Sequence, residues 1–332
     1  MTEELGAISA AIEAGESVRG TTSPNPPVGC ALIDASGALI AAGATSPAGG
    51  PHAEINALEQ AGDRARGATA VVTLEPCNHT GRTGPCSQAL VEAGITRVVY
   101  FTADPNDAAA GGAEYLRAHR VEVEFQPVRI AALQPWLRSV RLGRPSVTLK
   151  FASTLDGFTA AADGTSKWIT GDKARELVHE DRAKLDAIIV GTGTAIADNP
   201  SLTARFPDGA LRGHQPRRVV VGTREVPEGN LTRLGFEQYA TPEEALTALW
   251  GTGARDVLVE GGAALAASFL ELDLVDAVQA YIAPALLGAG RGVLDRAIAG
   301  TIADARRFHT THVRPVGDDV FIEMERDVYG TC

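Results

Sequence analysis

The sequence has little of several features that mark particular classes of protein. Four cysteines in 332 residues are too few for the disulfide framework of a secreted domain. No apolar run approaches the roughly 20 residues that a membrane-spanning helix needs. The first residues, Thr2, Glu3 and Glu4, lack the basic stretch that begins a signal peptide. Together these absences predict a cytoplasmic protein with no membrane segment.

The sequence also lacks an excess of positive charge, and its formal net charge is −11. Residues 1–144 contain 11 arginines and no lysine against 15 acidic residues, which gives −4. Residues 145–332 contain 19 basic and 26 acidic residues, which gives −7. Neither half has the basic surface that a binder of the nucleic-acid backbone needs. We therefore expect no nucleic-acid partner.

The sequence does contain enough apolar material for two folded domains. Hydrophobic residues make up 45% of the chain, and apolar strand patterns alternate with helical patterns in both halves. The last helix predicted in the first half covers about residues 128–140, and the Gly-Arg-Pro at 143–145 then interrupts the pattern. We therefore predict two α/β domains, residues 1–144 and residues 145–332.

The strongest chemical signal is a set of metal ligands in the first half. His52-Ala53-Glu54 opens a predicted helix, and Cys77 and Cys86 follow, each preceded by proline. One histidine and two cysteines that leave a fourth position open are typical of catalytic zinc. Glu54 lies two residues from a ligand, where it can exchange protons without binding the metal. The order matches the H-x-E and P-C-x-x-C signature of zinc nucleobase deaminases, except that eight residues separate the cysteines.

Polar residues near these ligands are candidates for a substrate pocket. His79 and Arg82 lie between the two cysteines, and a cation there suits an anionic substrate such as a sugar phosphate. Asn25 lies between two prolines, where it either offers an amide to a ring or forms a turn. Asp104 and Asn106 follow a predicted strand, where they either contact a ligand or form an ordinary turn. The pattern leaves both interpretations open for these last three residues.

Two glycine-rich turns in the second half follow predicted strands, at residues 191–194 and 260–262. Such turns bring backbone N–H groups to a phosphate, but glycine after a strand is also common in simple tight turns. Neither turn completes the G-x-G-x-x-G fingerprint, so a nucleotide cofactor is one of two interpretations. Lys150, Arg182 and Arg205 are cations that either contact phosphate or are solvated at the surface.

Taken in order, these motifs resemble those of the bifunctional enzymes of riboflavin biosynthesis, in which a pyrimidine deaminase is fused to a reductase. The resemblance covers nearly the whole chain. In the first half it rests on PNPPVGC at 24–30, HAE at 52–54 and EPCNHTGRTGPC at 75–86. In the second half it rests on KFASTLDG at 150–157, SKWIT at 166–170, DNPSLTAR at 198–205 and VEGG at 259–262.

The resemblance implies a fold, two reactions and two cofactors. The implied fold is a cytidine-deaminase-like N-terminal domain followed by a dihydrofolate-reductase-like C-terminal domain. The first implied reaction is zinc-dependent hydrolytic deamination of 2,5-diamino-6-ribosylamino-4(3H)-pyrimidinone 5′-phosphate. The second is NADPH-dependent reduction of the ribosyl group to ribityl. The resemblance also implies that the protein is a homo-oligomer.

Roles for individual residues follow from the resemblance by motif position. His52, Cys77 and Cys86 are the implied zinc ligands, with Glu54 as the proton donor. The implied deaminase pocket contains Asn25, His79, Arg82, Asp104 and Asn106. The implied contacts of the reductase substrate are Lys150, Ser166, Arg182, Leu202, Arg205 and Glu260. The implied contacts of NADPH are Ala152, Trp168, Thr194, Asp198, Thr223 and Gly262.

The sequence departs from the family pattern at two places. Thr45 stands where family members often carry histidine, so the affinity for the substrate or the choice of substrate is expected to differ if that histidine grips it. Gly111 and Gly112 replace a more widely spaced glycine pattern. One chemical question also stays open, because opening the ribose needs a proton donor and both Lys150 and Glu260 are candidates.

Three other interpretations of the sequence stay open. The first is a diverged relative in which one domain is active, or which acts on a related pyrimidine. The second is a nucleic-acid-editing deaminase, which the acidic charge of both halves disfavours. The third is a zinc-stabilised assembly module without catalysis, for which Glu54→Gln would leave every activity intact.

Overall fold

The computed structural model describes residues 2–79, 84–106 and 111–326. The chain divides into two compact units, Met1–Arg141 and Leu142–Cys332, and each contains its own principal β-sheet. Strands and helices alternate in both units, so the predicted α/β class is confirmed. None of the helices in the described ranges is both long and apolar enough to cross a membrane.

The first unit is a mixed sheet with helices between its strands. In chain order its elements are α1 (Thr2–Ser17), β1 (Gly29–Ile33), β2 (Leu39–Ala44), α2 (Ala53–Ala61), β3 (Thr69–Val72), α3 (Cys86–Glu92), β4 (Arg97–Tyr100), α4 (Gly112–Ala118), β5 (Glu122–Phe125) and α5 (Gln134–Leu142). The strand order is β2-β1-β3-β4-β5. Strand β1 is antiparallel to β2 and β3, whereas β3, β4 and β5 are parallel. The loops after β3 and β4 therefore leave the same edge of the sheet.

Helix α2 packs tightly on the β1–β2 hairpin, and a glycine makes this packing possible. A Cβ atom at Gly43 would lie 2.4 Å from the Ala53 carbonyl oxygen and 2.5 Å from the Ala57 nitrogen. No larger residue fits there unless the helix moves. Ala53 and Ala57 are themselves fully buried. This contact fixes the first turn of α2, which carries His52 and Glu54 into the site described below.

The helix predicted over residues 128–140 is wrong in its first part. The structure instead has a 3₁₀ helix at Ala131–Leu133, and α5 begins only at Gln134. Pro135 explains the late start, because proline has no N–H to donate within a helix and fits only in its first turn. The sequence pattern correctly indicated a helix here but not the point at which it begins.

The second unit is built on a larger, mostly parallel sheet. Its elements are β6 (Ser146–Thr154), β7 (Phe158–Ala161), α6 (Asp172–Arg182), β8 (Ala187–Gly191), α7 (Thr192–Asp198), β9 (Arg217–Val221), α8 (Asn230–Leu234), β10 (Glu237–Tyr239), α9 (Pro242–Gly251), β11 (Asp256–Val259), α10 (Ala263–Glu271), β12 (Ala277–Ala283), β13 (Gly290–Gly292), β14 (His309–Val316) and β15 (Asp319–Glu325). The strand order is β10-β9-β8-β11-β6-β12-β15-β14, and β13 pairs separately with β7.

The strands from β10 to β12 in this order are parallel, and β15 and β14 continue the sheet in antiparallel fashion. Because parallel strands end at the same edge, the loops after β6, β8, β9 and β11 share one edge of the sheet. Among the residues predicted for the second site, Thr194 and Asp198 lie in α7 after β8, Thr223 follows β9, and Glu260 and Gly262 follow β11. At the other end of the strand order, β14 is exposed along almost its whole length.

Candidate active sites

Three metal-ligating side chains converge in the first unit. His52 is the residue before α2, Cys77 lies in the loop after β3, and Cys86 is the first residue of α3. The Nδ1 atom of His52 is 3.6 Å from the Cys77 Sγ atom and 3.4 Å from the Cys86 Sγ atom. The three ligand atoms all lie within 4.8 Å of one another. The structure therefore brings together the three residues that the sequence predicts as zinc ligands.

The spacing of these atoms fits a tetrahedral zinc ion. Zinc bonds of about 2.3 Å to sulfur and about 2.1 Å to nitrogen place the two ligand atoms about 3.6 Å apart at a tetrahedral angle. The observed separations of 3.6 and 3.4 Å match this value. Within the described ranges no fourth His, Cys or carboxylate joins the group. Such a donor set leaves one coordination position for water or substrate, as catalytic zinc requires.

One of the two thiols is prepared for metal binding by its neighbours. The backbone nitrogen of Cys86 donates to the Cys77 Sγ atom at 3.5 Å. Hydrogen bonds from Cys86 and His52 hold the pKa of the Cys77 thiol well below its ordinary value, although burial opposes them. The thiolate is the form that binds zinc, so this pair of contacts favours the ligating state.

Glu54 lies beside the three ligands without being one of them. It occupies the first turn of α2, and its side chain is 3% exposed. Burial raises the pKa of the Glu54 carboxyl to about 7, and the charge of Cys77 acts in the same direction. A buried carboxyl next to the open coordination position is suited to carry a proton between water and substrate.

Asp104 also lies near the three ligands. Burial raises the pKa of its carboxyl, the charges of Glu75 and Cys77 raise it further, and His79 lowers it. Asp104 therefore senses the charges of both Cys77 and His79. The Asp104 Oδ1 atom accepts a hydrogen bond from the Asn106 nitrogen at 2.9 Å, which forms the expected turn.

The remaining predicted residues of this pocket differ in their surroundings. Asn25 is half-buried in a tight turn, in which its nitrogen donates to the Thr22 carbonyl oxygen at 3.0 Å. Arg82 lies outside the described residues. Thr45, which stands in the place of the family histidine, is 2% exposed, and its Oγ1 accepts from the Val28 nitrogen at 3.2 Å. The Thr45 side chain is therefore bonded to the backbone at the entry of β1.

In the second unit, two predicted substrate residues form an ion pair with each other. Arg182 ends α6 and Glu260 follows β11. The Arg182 Nε and Nη2 atoms donate to the two oxygens of Glu260 at 2.8 and 2.6 Å. Burial opposes ionisation of Glu260, but Arg182 and then Lys150 overcome it and lower the pKa of this carboxyl to about 2. Glu260 is therefore an anion at every physiological pH.

Lys150, in β6, is a second buried cation of this cluster. Its Nζ atom lies 5.4 Å from the ring centroid of Tyr281, whose hydroxyl donates to Asp181 Oδ2 at 3.4 Å. Burial lowers the pKa of Lys150, and among the charged neighbours Glu260 raises it while Arg182 lowers it. Within the part of the chain that the structure describes, Lys150 forms no ion pair. Its ammonium is thus available to a ligand.

Thr203 connects the ion pair to the predicted residues Leu202 and Arg205. Its carbonyl oxygen accepts from Arg182 Nη1 at 3.1 Å, and its hydroxyl accepts from Arg205 Nε at 2.7 Å. The same carbonyl lies 3.0 Å from His179 Nδ1, which therefore carries the ring hydrogen because a carbonyl can only accept. Leu202 is buried with a φ of 47°, a conformation that turns the chain sharply at this point.

The two glycine-rich turns meet at the ends of β8 and β11. The Gly262 nitrogen donates to the Thr194 hydroxyl at 3.0 Å. A Cβ atom at Gly193 would lie 3.2 Å from the Nη2 atom of Arg224. Two turns with small residues and an adjacent exposed guanidinium provide the N–H donors and the cation that a phosphate-bearing dinucleotide requires. These residues therefore fit NADPH.

The other predicted contacts of the second site lie on its periphery. Four of them are exposed: Ser166, Trp168, Asp198 and Thr223. The Trp168 ring is covered on one face by Arg175, whose Cζ atom lies 4.3 Å from the ring centroid. Ala152 is half-buried and packs with the cluster that contains Tyr281. An exposed aromatic ring held in place by a cation offers a flat surface to a ligand.

Sequence reasoning missed several residues of the second cluster: Asp181, His179, Thr203, Tyr281 and Arg224. For His179 a signal was present, because it lies three residues before Arg182 and so shares its face of α6. Tyr281 gave no such signal, since an aromatic residue in a buried strand is usually part of the core.

Comparisons with known proteins give the family. Residues 1–102 match the family model described as the cytidine and deoxycytidylate deaminase zinc-binding region. Residues 145–322 match the model described as the RibD C-terminal domain. The chain is 59% identical over 307 residues to the riboflavin biosynthesis protein RibD of Corynebacterium ammoniagenes, which covers 90% of this chain and 91% of that protein. It is 45% identical over 327 residues to the RibD protein of Mycobacterium tuberculosis (strain H37Rv), with 96% of each chain covered.

Solved structures agree over almost the whole chain. Acinetobacter baumannii RibD (form 1) is similar with a TM-score of 0.84 and 36% identity. The alignment covers 98% of this chain and 99% of the Acinetobacter chain. A second structure is a diaminohydroxyphosphoribosylaminopyrimidine deaminase/5-amino-6-(5-phosphoribosylamino)uracil reductase from Thermotoga maritima. It has a TM-score of 0.86 and 33% identity, with the same coverage. The chain therefore belongs to the RibD family of riboflavin-biosynthesis proteins, which join a zinc-dependent deaminase to an NADPH-dependent reductase.

Proposed function

We propose that the chain deaminates 2,5-diamino-6-ribosylamino-4(3H)-pyrimidinone 5′-phosphate and then reduces the ribosyl group of the product to ribityl. The name of the similar Thermotoga maritima protein gives the same two activities, a deaminase and a reductase. We assign the first to residues 1–144 and the second to residues 145–332. The observation that carries the proposal is the convergence of the His52, Cys77 and Cys86 ligand atoms within 4.8 Å of one another, with buried Glu54 beside them.

In the deaminase domain the three ligands would hold zinc, which supplies a hydroxide nucleophile at neutral pH when it is bound. Glu54 takes a proton from the attacking water and delivers it to the ring nitrogen; it then takes the second proton of that oxygen and delivers it to the leaving amine. Its burial keeps this carboxyl out of bulk solvent, so the proton passes to the substrate. The polar residues around the ligands would hold the pyrimidine ribosyl phosphate: Asn25, His79, Arg82, Asp104 and Asn106.

In the reductase domain the structure favours Lys150 over Glu260 as the proton donor. NADPH supplies a hydride to the sugar carbon when it is bound, and the ring oxygen then needs a proton. Glu260 has no proton to give, because Arg182 engages both of its oxygens and keeps it ionised. Lys150 carries protons, is buried in the same cluster and has no ion-pair partner among the described residues. Lys150 therefore donates, and Glu260 holds Lys150 and the substrate by charge.

The other residues of this domain would bind rather than react. Those assigned to the substrate are Ser166, Arg182, Leu202, Arg205 and Glu260. Those assigned to NADPH are Ala152, Trp168, Thr194, Asp198, Thr223 and Gly262. Support for the second group comes from the hydrogen bond between Gly262 and Thr194, which joins the two glycine-rich turns in a cradle at one sheet edge.

Mass spectrometry of the diaminopyrimidine ribosyl phosphate tests both reactions in one experiment. The zinc-loaded protein is incubated with this substrate, with and without NADPH. We expect the deaminated product without NADPH and the deaminated, reduced product with it. Deamination alone would contradict the reductase assignment. No change in either sample would contradict the substrate, and related pyrimidines would then be tested first.

We also propose that the protein is a cytoplasmic homo-oligomer. The family resemblance supports oligomerisation, and so does β14, which is exposed along almost its whole length at the edge of the sheet that the described residues form. Light scattering after size exclusion measures the molar mass in solution, and a mass equal to that of a single chain would contradict the oligomer. Recovery of the protein with the membrane fraction of lysed cells would contradict the location.

A further inference from the structure

Each of the two cysteine ligands is followed by a polar residue, and these two polar residues are bonded to each other. The Ser87 hydroxyl donates to Asn78 Oδ1 at 2.8 Å. The Ser87 nitrogen also donates to the Cys77 carbonyl oxygen at 3.2 Å. Ser87 is 0% exposed, so water does not compete for its hydroxyl. The bonds therefore close the loop between Cys77 and Cys86 from the first turn of α3.

The Cys77 side of this loop is fixed by a different helix. A Cβ atom at Gly112, the first residue of α4, would lie 1.7 Å from the Pro76 carbonyl oxygen. The Ala113 nitrogen donates to the Glu75 Oε1 atom at 3.1 Å. Helix α4 therefore holds Glu75 and Pro76 in van der Waals contact and by a hydrogen bond. The Cys86 side belongs to α3, and the bonds of Ser87 join it to the Cys77 side.

The separation of the two thiols depends on that connection. In the sequence, eight residues lie between the ligands, so the length of chain alone does not fix the separation of the two thiols. The hydrogen bond between Ser87 and Asn78 joins the residues that directly follow the two ligands, so it keeps the ligand atoms near the distances that zinc needs.

We infer that Asn78 and Ser87 are a positioning pair that sets the distance between the Cys77 and Cys86 thiolates and thereby the affinity for zinc. The inference rests on the proposed zinc-dependent deaminase function of this site. Neither residue touches the metal or the substrate in this assignment. Their effect is exerted on the ligands, so it is expected in zinc binding itself and not only in turnover.

The test is zinc affinity of the full chain, measured by competition with a chromophoric chelator. We expect Ser87→Ala and Asn78→Ala each to raise the zinc Kd by about 10- to 100-fold, the range for loss of a partner that orients a metal ligand. The double variant is expected to bind zinc about as tightly as the single variant with the higher Kd, because both changes break the same bond. Ser87→Thr keeps a hydroxyl and is expected to recover most of the affinity.

Ser139→Ala is a matched control in the same unit. Ser139 is also 0% exposed, and its hydroxyl donates to the Trp136 carbonyl oxygen at 2.8 Å, in α5. If Ser139→Ala weakens zinc binding as much as Ser87→Ala does, the effect is general destabilisation and the inference is wrong. A zinc Kd of Ser87→Ala equal to that of the unaltered protein also overturns the inference. Failure of the unaltered protein to bind zinc would instead contradict the proposed function.

Discussion

The two candidate sites differ in how their charges are balanced. In the first unit, the ligand atoms of His52, Cys77 and Cys86 all lie within 4.8 Å of one another. In the second, Arg182 and Glu260 neutralise each other at 2.8 and 2.6 Å. The first site is complete only with an added ion, whereas the second is preorganised by its own residues.

Because of this difference, the two sites contribute to the stability of the folded chain in different ways. A metal that binds to the folded site and not to the unfolded chain adds its binding free energy to folding, so zinc binding and local stability are linked. A buried pair with both hydrogen bonds made costs little as long as both partners remain. Removing the ion should therefore affect the first unit alone, and removing one charged residue should affect the second alone.

The largest expected effect is the loss of a zinc ligand. Cys86→Ala removes one of three donors, and we expect no zinc by metal analysis and a fall in deamination of at least about a thousandfold, since metal activation provides several kcal/mol. Reduction should stay within about twofold. Cys30→Ala is the control, because Cys30 is buried in β1 but is not one of the three ligands. Zinc retained by Cys86→Ala would refute the ligand set.

A smaller effect is expected for Glu54→Gln, which keeps the shape of the side chain and removes its ability to carry protons. Because Glu54 is not among the three ligands, zinc content should be unchanged. Deamination should fall by about 100- to 10,000-fold, the usual contribution of a general acid–base residue. Full activity in this variant would favour the non-catalytic zinc module, and loss of zinc would make Glu54 a ligand.

The sequence predicted the first site better than the second, for a physical reason. Each ligand of the first site lies at the beginning of a helix or just after a strand, and all three lie within residues 52–86. The motif alone therefore indicates their chemistry. Arg182 and Glu260 are 78 residues apart, and no local pattern shows that they will pair. Pairing decides the role of Glu260, because it removes the proton that the sequence left available for donation.

The fold was also predictable where a local pattern in the sequence determines it, and less so elsewhere. Alternating strand and helix patterns gave the α/β class, because periodicity depends on which face is buried. The start of α5 was misplaced because Pro135 limits a helix locally while the apolar spacing continues through it. Strand β14 gave little signal, since nearly all of its residues are exposed and hydrophobic alternation is weak there.

The Arg182–Glu260 pair should make the stability of the second unit depend on acid pH. The pKa of Glu260 is about 2 in the fold against an ordinary value of 4.5, so its contribution is present above pH 4.5 and is lost as pH falls towards 2. The difference corresponds to about 3 kcal/mol of unfolding free energy. In urea unfolding, wild type and Glu260→Gln should differ by about this amount near neutral pH and converge in acid.

A surface pair provides the control for this measurement. Arg217 and Glu237 form a similar two-bond pair at 2.8 and 2.7 Å, but their side chains are 33% and 35% exposed. Glu237→Gln should therefore cost less than about 1 kcal/mol. Equal effects of the two substitutions would show that burial does not strengthen the Arg182–Glu260 pair, and the contrast between the two sites would weaken.

The smallest effect concerns the aromatic ring beside Lys150. The Tyr281 face lies 5.4 Å from the Lys150 ammonium and stabilises its charged form. Tyr281→Leu removes the ring and should lower the pKa of Lys150 further. If Lys150 donates the proton, the alkaline limb of the reduction rate then moves to lower pH, and kcat falls about tenfold.

Tyr281→Phe keeps the ring, loses only the bond to Asp181, and should change kcat by less than about threefold. Deamination by the same samples serves as the internal control, since equal losses in both reactions would indicate unfolding. A Leu variant with an unshifted pH profile would contradict the assignment of Lys150 as the donor, because the ring lies 5.4 Å from its ammonium.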